Sequence, residues 1–401
     1  MPRGRAGLLI LGALLAVPVV DPTPASAVRA VTLSVPACHS RPALSRPVAD
    51  LPWSQQRYAP DRLVPLAAGT GVTVAVIDSG VDARHPQLRG KVVRGADFLD
   101  PSGDGATDCV GHGTAVASII AAEARRGVQF RGLAPRARIL PVRVSEQWMI
   151  NGREVGRTVT AAEFARAIRW AVDRGADVLN LSVVLYEDDP AVRSAVRYAL
   201  DRDVVVVAAV GNLHDNGNPA PYPAAYPGVL GVGAIGPDGA RAPFSQVGSY
   251  VDVVAPGSDV LAAAPGGGHG RHSGTSYAVP FVSATAALVR GYRPDLSAAE
   301  VVRRIIATAD PAPAGSRSHE YGSGVVNPYR AVTDTAGVDR PPPPAPTPAA
   351  LPEPAVPADQ ERRAREMSLW VAAAGGGIAG AVALAARVLT RGARRRWRPA
   401  A

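Results

Sequence analysis

Lysine, cysteine and aromatic residues are scarce in this chain, and each shortage narrows what it can be. Lys91 is the only lysine, so almost all the cationic charge behind the formal net charge of +9 is arginine. That excess is spread along the chain, densest in the last dozen residues. No recognisable nucleic-acid-binding motif accompanies it, so no nucleic-acid partner is assigned. Aromatics are only 5% of the residues, so a core must be filled by Val, Leu, Ile and Ala. No internal repeat is visible. What is plentiful is apolar aliphatic material. At 401 residues and 47% hydrophobic content, the chain is long enough for one large domain with appendages. The two cysteines, Cys38 and Cys109, leave a single pairing. In an exported chain an even count predicts a disulfide, two unpaired buried thiols being the alternative.

Both ends carry addresses. Residues 1–27 read as a signal peptide: Arg3 and Arg5 precede an apolar run from Leu8 to Val17, and Ala25-Ser26-Ala27 offers small residues for cleavage. The run is too short to span a bilayer, which disfavours an uncleaved anchor. Residues 336–366 form a proline-rich linker, with nine prolines between 341 and 357, a composition that favours extended polyproline II. Residues 367–389 are predicted to be a transmembrane helix, because Ser368 to Ala386 is a run of 19 uncharged residues. A buried core helix is the alternative, and beyond such a linker it would have nothing to pack on. The tail, 390–401, is rich in arginine and predicts a cytoplasmic C-terminus. The expectation is a single-pass plasma-membrane protein with its main domain outside the cell.

The middle, 72–335, reads as α/β. Val72–Ile77, Arg138–Val144, Val178–Val184, Val204–Val210 and Val229–Ala234 are short β-branched runs of the kind found in buried parallel strands. Thr160-Ala161-Ala162-Glu163 and Ser297-Ala298-Ala299-Glu300 are capping boxes opening helices. In the first, Phe164, Ile168 and Val172 recur on one face up to Gly175. This alternation predicts a doubly wound parallel sheet with helices on both faces and ligands at the carboxyl ends of the strands.

Three glycine-flanked segments carry the chemistry: Asp78-Ser79-Gly80 at a strand end, Gly111-His112-Gly113-Thr114, and Gly274-Thr275-Ser276-Tyr277, the last two each opening a helix. Ser276 is the expected nucleophile and His112 its general base, with Asp78 orienting the imidazole. Asn212, just after the run Val204–Val210, is the expected oxyanion donor, alongside backbone N–H groups at the start of the Ser276 helix. The order Asp, His, Ser separates this arrangement from other serine hydrolases.

These motifs resemble the subtilase family of serine proteases over roughly residues 55–335. His85-Pro86, Gly132-Leu133-Ala134-Pro135 and Tyr321–Asn327 also match, with His85 read as structural. More narrowly, the chain resembles the mycosins, the membrane-anchored subtilases of type VII secretion. The segment Pro52–Leu63, Asp108-Cys109 ahead of His112, and the order signal peptide, protease, linker, span and tail carry this likeness. It implies a subtilisin-like fold, a polypeptide substrate and a type VII secretion membrane complex as partner. It also implies that residues 28–71 wrap the protease uncleaved, pinned by Cys38–Cys109. A second disulfide seen in many relatives has no cysteines here. By alignment with the family, Leu181, Ser182, Val183 and Val184, with Gly211, line the substrate cleft. Side chains at Val184 and Leu185, where broad subtilisins have glycine, predict slow cleavage after a small residue. Calcium sites are common in subtilases, but their ligands vary too much for one to be assigned, so no cofactor or metal is named. Glu146–Thr158 reads as a long surface loop, a partner-binding insertion being the alternative. The rival functions are a scaffold whose proteolysis is dispensable and a tethered degradative protease unrelated to secretion.

Overall fold

A computed structural model describes residues 45–335 apart from 151, 152, 314 and 316. The signal peptide, Cys38, the linker, the expected span and the tail lie outside the described residues. Among the described residues, no helix is long and apolar enough to cross a membrane.

Period-two alternation organises the centre. In β1 (Thr73–Asp78), Val74 and Val76 join one buried cluster, while Ala75 and Ile77 join another on the opposite face. The same division runs through β3 (Arg138–Arg143), β6 (Val178–Leu181), β7 (Val205–Ala209) and β8 (Leu230–Ile235). With β2 (Ala96–Asp97) and β9 (Val253–Pro256) they form one parallel sheet in the order β2-β3-β1-β6-β7-β8-β9. Because both faces are covered, these strands read as apolar runs, as parallel strands must. The order reverses at β1, which places its carboxyl end at the topological switch point.

One face carries α3 (His112–Ala121), α6 (Thr275–Tyr292) and α7 (Ala298–Ala307). The other carries α4 (Ala161–Asp173) and α5 (Pro190–Leu200). Both expected capping boxes are present. At α4, Glu163 N–H donates to Thr160 Oγ1 at 3.3 Å and Thr160 N–H to Glu163 Oε2 at 3.0 Å. Ser297 and Glu300 repeat the exchange at α7. The short α8 (Pro328–Thr333) follows Gly324–Val326, which pairs with the outer edge of β9 and covers it.

The run from Val178 leaves the sheet three residues earlier than expected, after Leu181. Its last partner in β1 is Ile77, opposite Leu181, one residue before β1 ends, and Val183 and Val184 lie past the end of that neighbour. Glu146–Thr158 is not an irregular loop. It contains a hairpin of β4 (Trp148–Ile150) and β5 (Arg153–Val155). Its base is closed by backbone bonds from Glu146 to Arg157 and from Val159 to Val144. Buried Glu146 also accepts from Arg157 Nε at 2.6 Å and pairs with Arg143. A second hairpin joins β10 (Val260–Ala263) to β11 (His269–His272).

Residues 45–71 lie against the domain, with α1 (Trp53–Tyr58) and α2 (Pro60–Leu63) packed by fully buried Leu63 and by Tyr58, whose ring is 5.5 Å from that of Phe281. Val48 N–H donates to His269 Nδ1 at 3.2 Å, Trp53 Nε1 to the Asp259 carbonyl at 3.0 Å and Gln55 Nε2 to the Arg131 carbonyl at 2.8 Å.

Candidate active site

Four segments far apart in sequence converge at the carboxyl end of the sheet. Asp78 is the last residue of β1 and is buried. His112 and Ser276 stand in the first turns of α3 and α6, and Asn212 lies three residues beyond β7. His112 Nδ1 is 2.7 Å from Asp78 Oδ1, and His112 Nε2 is 2.8 Å from Ser276 Oγ. Asp78 Oδ1 also accepts from the N–H of Ser79 at 2.7 Å. With Nδ1–H donating to the carboxylate, Nε2 faces the hydroxyl as an acceptor. An imidazole held so can take the hydroxyl proton and later deliver it to a leaving amine.

Electrostatics support that tautomer. Burial alone would lower the His112 pKa. The charge of Asp78 and its hydrogen bond, with a smaller contribution from Asp108, more than offset burial, so the imidazole titrates above its ordinary value. The Tyr277 ring lies 4.9 Å from that of His112 and stacks on His272 at 4.8 Å. Burial, with His112 nearby, depresses His272 to about 4, so the second imidazole stays neutral at ordinary pH.

Asn212 is aimed by its other end. Its Oδ1 accepts from the N–H of Thr275 at 2.9 Å and from Thr275 Oγ1 at 3.0 Å. Its Nδ2 therefore faces the hydroxyl side of the turn. A Cβ on Gly274 would lie 3.1 Å from Ser276 Oγ and 3.5 Å from Asn212 Nδ2. Glycine thus keeps open the space between the hydroxyl and the amide, where an oxyanion would form. Gly113 is needed for a different reason: a Cβ there would sit 2.1 Å from the Gly80 carbonyl oxygen, so α3 could not approach the end of β1.

The expected cleft residues are joined to this site through a proline. Pro280 lies inside α6 and has no N–H for the carbonyl four residues back, which is that of Ser276. Ser182 Oγ donates to this carbonyl at 3.3 Å. Ser182 is itself held by Asn180 Nδ2 at 3.0 Å, while Asn180 Oδ1 accepts from Ser283 Oγ at 2.9 Å. Val183 and Val184 are half-buried beside it, Leu181 is buried, and Gly211 N–H donates to Thr275 Oγ1 at 3.2 Å.

His85 lies apart from the triad. Its Nε2 is 3.2 Å from the Gly268 carbonyl oxygen and its Nδ1 accepts from the N–H of Gln87 at 3.2 Å. No cysteine among the described residues is free, Cys109 included; its expected partner Cys38 lies outside them. Nor does any group of three or more His, Cys, Asp or Glu among the described residues suit a metal ion. Buried Asp108 was absent from the expected site. In the sequence it stood out only as part of Asp108-Cys109, ahead of the histidine, a mark of family likeness with no role attached.

Comparison with known proteins agrees with this geometry. The Subtilase family matches residues 69–324. A thermophilic serine proteinase from a Bacillus species is 40% identical over 66% of this chain, and the chain spans only 62% of that relative's length. Mycosin-1 of Mycobacterium tuberculosis is 35% identical, over 85% of this chain and 86% of its own. A solved structure described as MycP1, a serine protease and an essential component of the type VII (ESX-1) secretion system, superposes with a TM-score of 0.63. It is 33% identical and the match covers 74% of this chain and 93% of that one. A polar relay on a doubly wound sheet, matched along most of its length to these proteins, places this chain in the subtilase family and, within it, among the mycosins.

Proposed function

We propose that the chain is a membrane-anchored serine endopeptidase of a type VII secretion system. One observation carries the enzymatic part: the unbroken line of hydrogen bonds from Asp78 through His112 to Ser276, with Asn212 held by its Oδ1 at the turn that carries the hydroxyl. In this reading His112 Nε2 takes the proton as Ser276 Oγ attacks a peptide carbonyl. Asp78 steadies the resulting imidazolium. Asn212 Nδ2 and an N–H at the start of α6 receive the oxyanion. His112 then protonates the leaving amine, and water repeats the sequence in reverse to release the acyl group.

Ser182–Val184, unpaired on the side of β1, are offered as the strand against which substrate lies, with Gly211 opposite. The Val184 and Leu185 side chains narrow that cleft and select a small residue before the scissile bond. The Mycobacterium relatives support attachment to a secretion membrane complex, and the apolar run Ser368–Ala386 supports a membrane anchor with the catalytic domain outside the cell. Residues 28–71 remain attached, held by a Cys38–Cys109 bridge.

The test is gene deletion complemented with wild type or Ser276→Ala, followed by mass spectrometry of exported proteins. Export restored by Ser276→Ala with one substrate left uncut supports a selective protease that also stabilises the complex. Export unchanged by the deletion removes the secretion role. A mature N-terminus near residue 70 would exclude retention of the N-terminal segment.

A further inference from the structure

Asp108 is 5% exposed, and all five of its donors are neutral groups. Its Oδ1 accepts from Ser79 Oγ at 3.0 Å and from the N–H groups of Val110 at 3.0 Å and Gly111 at 2.7 Å. Its Oδ2 accepts from Thr114 N–H at 2.8 Å and Thr114 Oγ1 at 2.6 Å. Burying a carboxylate without a cation is costly, and burial pushes this one up from the ordinary carboxylate range. A turn entering a helix needs only a side-chain oxygen as its cap, which serine or asparagine supplies. A buried carboxylate is more than that turn requires.

Its bonds join the two sides of the relay. Ser79 follows Asp78. While Ser79 Oγ donates to Asp108, it accepts from the N–H of Gly113 at 2.9 Å. Asp108 therefore grips the residue after the triad carboxylate, the residue before His112, and Thr114 two residues beyond it. Cys109, next in the chain, is one of the cysteines that are not free. We propose that Asp108 is the positioning residue of the catalytic base: it clamps the end of β1 to the start of α3, so that His112 meets Asp78 and Ser276 at once. This rests on the triad reading given above.

The clamp also brings a second carboxylate near the imidazole. The groups facing this region are Asp78 and Ser79 from the end of β1, His112 and Thr114 from α3, Tyr277 from α6 and His272 from β11. Among the described residues no lysine or arginine pairs with Asp108, so its charge adds to that of Asp78 in favouring the imidazolium.

Asp108→Asn keeps the shape but turns an amide N–H₂ toward donors that need an acceptor. The enzyme is assayed on a peptide substrate across pH and by its rate of inactivation with phenylmethylsulfonyl fluoride, which reports Ser276 reactivity without a peptide. Expected is a loss of kcat of about 10–100-fold, with KM within about twofold and an equal slowing of sulfonylation. The acid limb of kcat/KM moves to lower pH. A structural cap alone would lower the melting temperature and leave kcat and the pH limb of the folded fraction in place, and that result overturns the proposal. Should Asp108→Asn not fold, Ser79→Ala cuts the link, with the one first-turn bond from Gly113 N–H, and leaves the Asp108 bonds to Val110, Gly111 and Thr114 in place. A kcat loss of about threefold or more without a KM change supports the clamp, and an unchanged kcat rejects it. Ser276→Ala run in parallel isolates the underlying reading: if it still hydrolyses peptide, the triad assignment fails whatever Asp108 does.

Discussion

The two faces of the sheet are built differently. On one, α4 and α5 are amphipathic: Phe164, Ile168 and Val172 are buried, while Arg166 and Arg193 reach solvent. On the other, α6 buries 15 of its 18 residues and α3 all but the first of its ten. The relay belongs wholly to the second face. Helices buried all round can hold a polar terminus in a fixed place, because neighbouring atoms leave the first turn nowhere else to go. The polar bonds there are long-range: Asn180 to Ser283, Ser182 to Ser276, Ser79 to Asp108. The first face supplies burial and solubility, and its polar bonds are mostly caps, each worth about 1 kcal/mol, and surface ion pairs, which are worth little.

If that division is right, substitutions on the two faces separate activity from stability. The largest effect is expected from Ser276→Ala, about 10⁶-fold in kcat with an unchanged melting temperature, read by peptide hydrolysis and calorimetry. Asp78→Asn comes next, about 10⁴-fold. It also tests the sign of the His112 shift. The base works when neutral, so wild-type kcat/KM rises with pH through a midpoint above the ordinary histidine value of about 6.5. Losing the Asp78 charge moves that midpoint down, and an upward movement would contradict the assigned cause. Asn212→Ala removes one oxyanion donor and lowers kcat about 10²–10³-fold with little change in KM. Across the sheet, Ile168→Ala empties a fully buried site in α4. It costs about 2–5 kcal/mol in denaturant titration and leaves kcat alone; a matching fall in kcat would show that the faces are not independent. Thr160→Ala removes the α4 cap, for about 1 kcal/mol and no kinetic change.

The same division decided what could be read in advance. Amphipathic α4 is plain from its period and capping box, because one face meets water and must differ from the other. Helices α3 and α6 have no such contrast and are recognisable only through Gly111-His112-Gly113 and Gly274-Thr275-Ser276. The seventh strand, β9, is four residues long, and only its pairing with β8 on one side and Gly324–Val326 on the other makes it a strand. Helices α1 and α2 hide among Pro52 and Pro60, where proline at a helix start looks like interruption although Pro60 begins α2. The hairpin at 146–158 depends on buried Glu146 meeting Arg143 and Arg157, a contact no local pattern announces.

Residue type and glycine turns are local properties, and they alone determined which four side chains are the candidates for the proposed chemistry and in what order. The α/β class followed from strand and helix patterns for the same reason. Tertiary structure decided orientation. His112 and Ser276 are 164 residues apart in the chain and 2.8 Å apart in space. Asn212 presents its N–H₂ because Thr275 takes its oxygen, and Asp108 matters because Ser79 and Thr114 fold onto it. Which lone pair meets which donor is set by the packing of distant segments, and no window of sequence contains it.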